Sequence, residues 1–309
     1  MENVSFYFPG WVRKSLTFTI DDGNVVLDAT FRGYTEPAGF KGTFNLCTPL
    51  RALKTAEEYR EFYKGYEIAN HCRYHAYPFA ENRPVVLKDE IFDPATADRA
   101  YGYRTEEKGL YRIYTYAWTY MADDEKFMDL VADCNRELED IFGKGKIRDF
   151  IWPCGEQKNP RVFEALKDFG FRSIRKTGSV KGRTGFAMPA DRMRWSYNAD
   201  YTCMKEVGEL YDALEDDGNL KFFCFGVHSS DFESNGCWNV LEDFCRKFGS
   251  RPGDFWYASV GEIFDYEDAV KSAVIEDGRL VNPSALTLYV TVNGERMTVA
   301  PGESIPAGE

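Results

Sequence analysis

Two neighbouring carboxylates stand at the end of a segment whose composition is typical of a buried strand. The stretch Leu16-Thr-Phe-Thr-Ile-Asp21-Asp22-Gly23 runs from apolar residues directly into Asp21 and Asp22. Adjacent carboxylates raise each other's pKa and lose hydration on burial, so the pair is costly unless positive charge lies nearby. The sequence therefore predicts a source of positive charge close to this strand end.

Two of the chain's three histidines suggest what that source is. His71 and His75 are spaced i, i+4 in Glu67-Ile-Ala-Asn-His71-Cys-Arg-Tyr-His75. Imidazoles one helical turn apart can bind the same ion, and a carboxylate completes a set that leaves positions open for water. Together with the acidic pair, this spacing favours a divalent-metal site over two unrelated polar residues in a loop.

The elements that would position these residues alternate between strands and helices. We predict helices over Ala56–Lys64, Asp123–Phe142, Met204–Leu214 and Trp238–Phe248, and another that begins at Pro160 and stops at Gly170. The predicted strands are Ser15–Ile20, Phe40–Leu46, Tyr66–Ala69, Phe150–Trp152, Phe171–Ile174, Leu220–Val227 and Phe255–Ser259. This alternation is typical of an α/β fold with a parallel, barrel-like sheet.

The end of the chain has a different pattern. Leu286–Val292 and Arg296–Val299 flank the turn Asn293-Gly294, which indicates a β-hairpin with no helix after it. A single hairpin is too small to fold by itself. We therefore predict a catalytic barrel over residues 1–268 and a short β extension over 269–309 that packs on it.

Charge and composition exclude several classes of partner. The chain has 309 residues and a net charge of −12, which argues against nucleic acid and anionic membranes. The distribution of its eight cysteines favours reduced, buried thiols over a disulfide framework. If Met1 is the native start, we expect the cytoplasm, because no signal sequence is visible; a chain trimmed of its signal would be secreted or in the cell envelope. The oligomeric state is not readable.

Five segments in chain order resemble motifs of the polysaccharide deacetylase family, carbohydrate esterase family 4. The resemblance covers roughly residues 7 to 266 and accounts for all three histidines. The segments are Thr19–Gly23 (first motif), Lys41–Phe44 (the following strand), Gly65–His75 (second motif), Phe150–Gly155 (third motif) and Phe223–His228 (fifth motif).

The resemblance implies a distorted (β/α) barrel that removes acetyl groups from a carbohydrate. Asp22, His71 and His75 would hold one divalent ion, usually zinc. Asp21 would be the general base and His228 the general acid. The backbone N–H of Cys154 would help to hold the oxyanion.

Two departures from the family pattern leave the partners of the acid and the base open. The third motif usually has an arginine that orients the catalytic aspartate, and Ile151 stands at that position. Arg148, Arg175 or Arg194 could replace it from elsewhere. The fourth motif is not recognisable, so Asp191, Asp200 and Asp231 are all candidates to tune His228.

Aromatic residues and Cys154 raise further alternatives. We consider Trp152 and Trp195 as residues that line the pocket, together with Asp231. Cys154 replaces a usual aromatic residue, and its thiol could coordinate zinc or be oxidised. The run Tyr114, Tyr116, Trp118 and Tyr120 puts four rings on one face of a strand, which favours a structural role over sugar binding.

Three functions remain compatible with these residues. The first is a metal-dependent hydrolase that removes N-acetyl, or alternatively O-acetyl, groups from a carbohydrate. The second is an amidohydrolase of the same fold that acts on a small non-sugar amide or a cyclic imide. The third is a catalytically silent carbohydrate-binding protein. The combination of a base, an acid and three metal ligands argues against this third function.

Overall fold

The computed structural model describes residues 4–78, 102–104, 110–113, 120–122, 124–155, 159–176 and 185–308. Residues 114–119 of the predicted aromatic run and Asp123, the first residue of a predicted helix, lie outside these ranges. The helices are α1 (Val25–Thr35), α2 (Ala56–Phe62), α3 (Asp124–Phe142), α4 (Pro160–Asp168), α5 (Met204–Asp212), α6 (Ser229–Ser234), α7 (Trp238–Phe248) and α8 (Val260–Ser272), with a 3₁₀ turn at Arg192–Arg194.

The strands of the described ranges form one parallel sheet and three small sheets. They are β1 (Val4–Tyr7), β2 (Lys14–Asp22), β3 (Gly42–Thr48), β4 (Glu67–Arg73), β5 (Ala76–Pro78), β6 (Gly102–Arg104), β7 (Leu110–Ile113), β8 (Tyr120–Ala122), β9 (Asp149–Ile151), β10 (Ser173–Arg175), β11 (Lys221–His228), β12 (Phe255–Tyr257), β13 (Val274–Glu276), β14 (Arg279–Val281), β15 (Leu288–Val292), β16 (Glu295–Val299) and β17 (Ser304–Pro306).

The parallel sheet is curled, and an irregular segment joins its two ends. Its strand order is β10-β9-β4-β3-β2-β11, and β12 pairs with the start of β2. Residues 195–199 bridge the end strands, because Trp195 pairs with Arg175 of β10 and Ala199 pairs with Phe225 of β11. This arrangement confirms the predicted α/β barrel, and the distortion lies at the irregular segment.

The predicted apolar patterns correspond to the buried faces of the elements. Seven of the nine residues of β2 are buried, as expected for a parallel strand covered on both faces. In α3, the buried residues Phe127, Leu130, Val131, Cys134 and Leu138 recur every three or four positions. Helix α4 begins as predicted, with Pro160 in its first turn and Asn159 as its N-cap.

Three helices were not predicted: the six-residue α6, and the longer α1 and α8. Helix α1 begins directly after the acidic pair, where the Asn24 side chain accepts a hydrogen bond from the Leu27 backbone N–H. Helix α8 begins with a capping box between Ser259 and Glu262. Both helices have little amphipathic contrast, because α1 has few buried residues and α8 is buried around much of its surface. Periodicity is therefore a weak signal for both.

The chain ends pair with each other. The predicted hairpin consists of β15 and β16, joined by Asn293 and Gly294, which both have positive φ. Strand β1 pairs with β15, so the start of the chain joins the same small sheet. Helix α8 crosses residue 268, and the division between barrel and extension remains a prediction. In the described ranges no helix is long and apolar enough to cross a membrane.

Candidate metal and acid–base site

Three parallel strands bring the predicted site residues to one end of the barrel. Asp21 and Asp22 end β2, His71 lies near the end of β4, and His228 ends β11. Asp21 has a register partner on each side: His228 of β11 on one and Asn45 of β3 on the other. Because the carboxyl ends of parallel strands share one edge, residues far apart in sequence meet here.

The backbone after β2 takes an unusual path. Asp22 has a φ of 79° and Gly23 a φ of 77°, so two successive residues are in the left-handed region. A Cβ on Gly23 would lie 2.7 Å from Leu46 Cδ2, so the glycine is required both by conformation and by space. The backbone conformation therefore explains the glycine after the acidic pair.

The two histidines do not lie on one helical turn, which corrects the expectation from their spacing. His71 is in β4, and His75 follows the strand in a turn where Cys72, Tyr74 and His75 all have positive φ. The turn folds the chain back, so the rings still meet at a centroid distance of 4.9 Å. A tight turn thus gives the proximity that a helix would give at the same spacing.

His71 is held in one tautomer. Its Nδ1 lies 2.9 Å from the carbonyl oxygen of Ile151, and a carbonyl can only accept. In the neutral imidazole the proton is therefore on Nδ1, and the lone pair of Nε2 points towards Asp22 Oδ1 at 3.5 Å. A backbone carbonyl behind the ring is the usual support for a metal-ligating histidine.

His75 faces the same carboxylate oxygen from another side. Its Nε2 is 3.6 Å from Asp22 Oδ1, and its Nδ1 is 3.8 Å from the Sγ of Cys154. Burial, together with the neighbouring His71, lowers the pKa of His75 to about 3. The ring is therefore neutral at physiological pH, the form that can donate a lone pair to a metal.

The donor atoms at this site fit a divalent ion. Asp22 Oδ1 and His71 Nε2 are both buried, and neither has a hydrogen-bond partner in the described part of the chain. Buried polar atoms normally have partners, so this converging pair of described atoms is a candidate site for a cation. Burial raises the pKa of Asp22, but the surrounding histidines lower it by more. The net pKa is below the ordinary value, so the carboxylate is ionised.

Asp21 has different partners from its neighbour. Its Oδ1 accepts hydrogen bonds from Arg175 Nη2 and, at 2.7 Å, from Asn45 Nδ2. Burial raises the pKa of Asp21, but the Arg175 guanidinium and two histidines outweigh it and hold the pKa well below its ordinary value. Among the three candidate arginines, Arg175 is the one that replaces the missing side chain at Ile151.

The other two arginines serve elsewhere. Arg148 pairs with Asp265 at 2.5 Å, and Arg194 lies over the ring of Phe163. Ile151 is buried, and its contribution to the site is the carbonyl that accepts from His71.

His228 is paired with the nearest of its three candidate carboxylates. Its Nδ1 is 3.1 Å from Asp231 Oδ2, and its Nε2 points to the site, 3.9 Å from Asp22 Oδ2. Burial lowers the pKa of His228, but the hydrogen bond to Asp231 and the charges of Asp21 and Asp22 raise it to about 9. Asp191 and Asp200 instead accept local backbone hydrogen bonds.

The two tryptophans considered for the pocket lie in the core. Trp152 is 1% exposed and stacks on Phe127, and Trp195 is 4% exposed and donates to Ser173. Neither lines the cavity beside the site, because both rings pack against buried aromatic residues instead. Cys154 is exposed, with a φ of 54°. Its backbone role remains a prediction.

A cavity of about 500 Å³ opens beside Asp22 and His75. Its wall includes Tyr59 and Tyr74, and Arg51 lies at its edge. A volume of this size accommodates one or two sugar rings or a small amide.

Two residues of β3 were missed by the sequence analysis. Asn45 bonds Asp21, and Cys47 Sγ lies with Asp22 and His71 in a group whose ligand atoms are all within 4.8 Å of one another. Thr43, Asn45 and Cys47 alternate with Phe44 and Leu46, so they share the inner face of the strand. The sequence signal that could have identified Asn45 and Cys47 is the presence of polar residues at alternate positions of an otherwise apolar strand.

Comparisons with known proteins give structural likenesses only. Protein-family models and curated proteins yield no match to this chain. A family 4 acetyl xylan esterase from Clostridium thermocellum, in complex with cobalt, is 15% identical with a TM-score of 0.44, over 82% of this chain and 92% of that one. The chitin deacetylase from Colletotrichum lindemuthianum is 13% identical with a TM-score of 0.40, over 84% and 88%.

A third similar structure is a pseudoenzyme of the CE4 family from Bacillus anthracis. It is 13% identical with a TM-score of 0.41, over 82% of this chain and 66% of that one. Likenesses at this level establish neither family membership nor activity. The names of these three structures belong to the same group of proteins that the sequence motifs resemble.

Proposed function

We propose that this protein is a metal-dependent hydrolase that removes N-acetyl groups from a carbohydrate. The observation that carries the proposal is the convergence of Asp22 Oδ1 and His71 Nε2 between an Asp–Arg pair and a His–Asp pair. Both atoms are buried and have no hydrogen-bond partner among the residues that the structure describes. An ion-binding pair flanked by a base and an acid is what the hydrolysis of an amide requires.

Asp22, His71 and His75 would hold the ion, most simply zinc. When bound, a divalent ion supplies Lewis acidity, which polarises an acyl carbonyl and makes an attacking water more acidic. The His71 tautomer is fixed by the Ile151 carbonyl, so its lone pair is ready for the metal without rearrangement.

Asp21 would accept the proton of the attacking water. Its carboxylate is kept ionised by Arg175 and is fixed in orientation by Asn45. An aspartate is a weak base, so this role depends on a water that is already acidified. Because Arg175 and Asn45 both bond Oδ1, we assign the proton-accepting role to Oδ2.

His228 would give a proton to the departing amine. Its Nδ1 donates to Asp231, so its Nε2 is the atom presented to the substrate. With a pKa raised to about 9, the ring is protonated at neutral pH, which is the form an acid needs. Proton transfer to a leaving nitrogen typically contributes roughly 10²–10⁴-fold in rate.

Hydrolysis assays with zinc-loaded protein test this proposal. We would measure acetate release from N-acetylated chitooligosaccharides, peptidoglycan fragments and acetylxylan, and ring opening of small cyclic imides. The expected result is turnover of an N-acetylated glycan, with Asp21→Asn retaining the metal and losing at least about 10²-fold in kcat. Release from acetylxylan alone would indicate an O-acetyl esterase, and turnover of imides alone would favour the small-amide alternative.

Metal analysis gives the second part of the test. His71→Ala should lose most of the ion that the unmodified protein binds. A protein that binds no divalent ion, or that binds glycan and leaves every acetyl group in place, would contradict the proposal and indicate a silent carbohydrate-binding protein.

A further inference from the structure

The thiol of Cys47 lies inside the candidate metal site. Cys47 is on β3, between the strands that carry Asp22 and His71. Its Sγ, one oxygen of Asp22 and one ring nitrogen of His71 lie within 4.8 Å of one another. Ligand atoms around one ion are separated by distances of this order, so a small adjustment of side chains brings all three to a shared metal.

The surrounding polar atoms point independently to a ligand at this place. His71 is 1% exposed, and its Nε2 has no hydrogen-bond partner in the described part of the chain; the same is true of Asp22 Oδ1. The Cys47 thiol makes only a weak contact, from Sγ to the His71 carbonyl oxygen at 3.1 Å. Three potential metal-ligand atoms, from Cys47, Asp22 and His71, therefore converge without strong hydrogen bonds to one another.

The charges of the site favour a third donor that is anionic. Arg175 neutralises Asp21, so the carboxylate left to balance a dication is Asp22 alone. Burying an unbalanced charge is costly. A thiolate at Cys47 would bring the charge of the donors to match that of a divalent ion, with the thiol proton released to solvent on binding.

We propose that Cys47 is a ligand of the metal ion, joining Asp22 and His71. This inference rests on the metal site of the proposed function but not on deacetylation. Zinc accepts four or five donors, so Cys47 excludes neither His75 nor a substrate oxygen. A soft thiolate also makes the site prefer zinc over magnesium, calcium or manganese, whose usual ligands are oxygens.

X-ray absorption on the zinc-loaded full chain tests this ligand directly. A thiolate scatters at about 2.3 Å from zinc, whereas nitrogen and oxygen donors lie at about 2.0–2.1 Å. We expect one sulfur in the unmodified protein and none in Cys47→Ser. The zinc affinity of that variant should fall at least about tenfold, while its affinity for magnesium should change little.

Cys154→Ser is the matched control, because Cys154 is the other thiol beside the site and is exposed. Sulfur that persists in Cys154→Ser supports Cys47 even if Cys47→Ser does not fold. The assignment of Cys47 is overturned if the zinc–sulfur signal disappears in Cys154→Ser. It is also overturned if the unmodified protein binds zinc without that signal. Either outcome leaves the proposed function standing. Failure to bind zinc at all would overturn both.

Discussion

Asp21 and Asp22 are adjacent in sequence and have the same side chain, yet their surroundings separate them. Asp21 faces Arg175 and Asn45, whereas Asp22 faces three histidines and has one oxygen without a hydrogen-bond partner among the described residues. The two residues also differ in backbone conformation, because Asp22 leaves the regular strand with a φ of 79°. One residue type can therefore serve as base and as ligand in neighbouring positions.

Arg175→Met tests the electrostatic part of this arrangement. Asp21 works as a base only when deprotonated, so activity is lost as the pH falls through its pKa. Arg175 holds that pKa low, and its removal leaves burial unopposed by its largest counter-charge. We expect the acidic limb of the kcat profile to move to higher pH, measured by acetate release with equal metal content. An unmoved limb would show that Arg175 is structural only.

Asp231→Asn should act on the opposite limb. His228 works as an acid only when protonated, so activity is lost as the pH rises through its pKa. Asp231 is the largest of the contributions that raise this pKa. We expect the basic limb of kcat to move to lower pH in the variant. Asp200→Asn is the control, because Asp200 bonds Thr202 and not His228, and it should leave both limbs in place.

Helix α1 connects the site strand to the helix that follows His228. Asp28 of α1 is fully buried and accepts from Ser229 Oγ at 2.7 Å and from Tyr63 Oη at 2.8 Å. Ser229 is the first residue of α6, so this contact fixes the start of the helix next to His228. Burial raises the pKa of Asp28 to about 7 in the folded protein.

A buried carboxyl with a raised pKa makes folding less favourable as the pH rises. Between about pH 4 and 7 the unfolded chain has released the Asp28 proton and the folded chain retains it, so stability falls across this window. We expect Asp28→Asn to match the unmodified protein near pH 4 and to be more stable above pH 7, by about 2–4 kcal/mol. Urea unfolding of metal-free protein at several pH values measures the difference.

The matched control for this prediction is Asp140→Asn, because Asp140 is 62% exposed on α3. It should leave the pH dependence of unfolding unchanged. An Asp28→Asn variant that loses stability at every pH would show instead that the ionised carboxylate is needed for the contact with Ser229.

At the scale of the whole molecule, the stability of the fold should depend on the ion at the site. The candidate ligands Asp22 and His71 lie on β2 and β4, so a shared ion would link strands that are far apart along the chain. A ligand that binds only the folded state adds about 2.7 kcal/mol of stability at 100 times its Kd. For a chain of 309 residues we expect zinc to raise Tm by about 4 °C and a chelator to reverse the rise. Thermal unfolding of His71→Ala should show no zinc effect, and an equal rise in that variant would place the ion elsewhere.

The sequence by itself determined what short spacing can encode. The acidic pair, the glycine after it, the histidine pair and the alternation of strands and helices are local patterns, and the structure confirms the barrel they predict. Asp231 is also local, three residues from His228, and it was among the candidates. The helical placement of the histidines was wrong because i, i+4 spacing also fits a strand followed by a turn with positive φ.

Only the tertiary structure decided which distant residues complete the site. Arg175 is 154 positions from Asp21, and nothing in local spacing distinguishes it from Arg148 or Arg194. Cys47 and Asn45 reach the site because β3 lies beside β2 and turns its polar face inward. Trp152 and Trp195 lie in the core because their rings pack on Phe127 and Phe264, which are distant from them in sequence. Pairing across strands depends on the closed barrel as a whole, so these partners are properties of the fold.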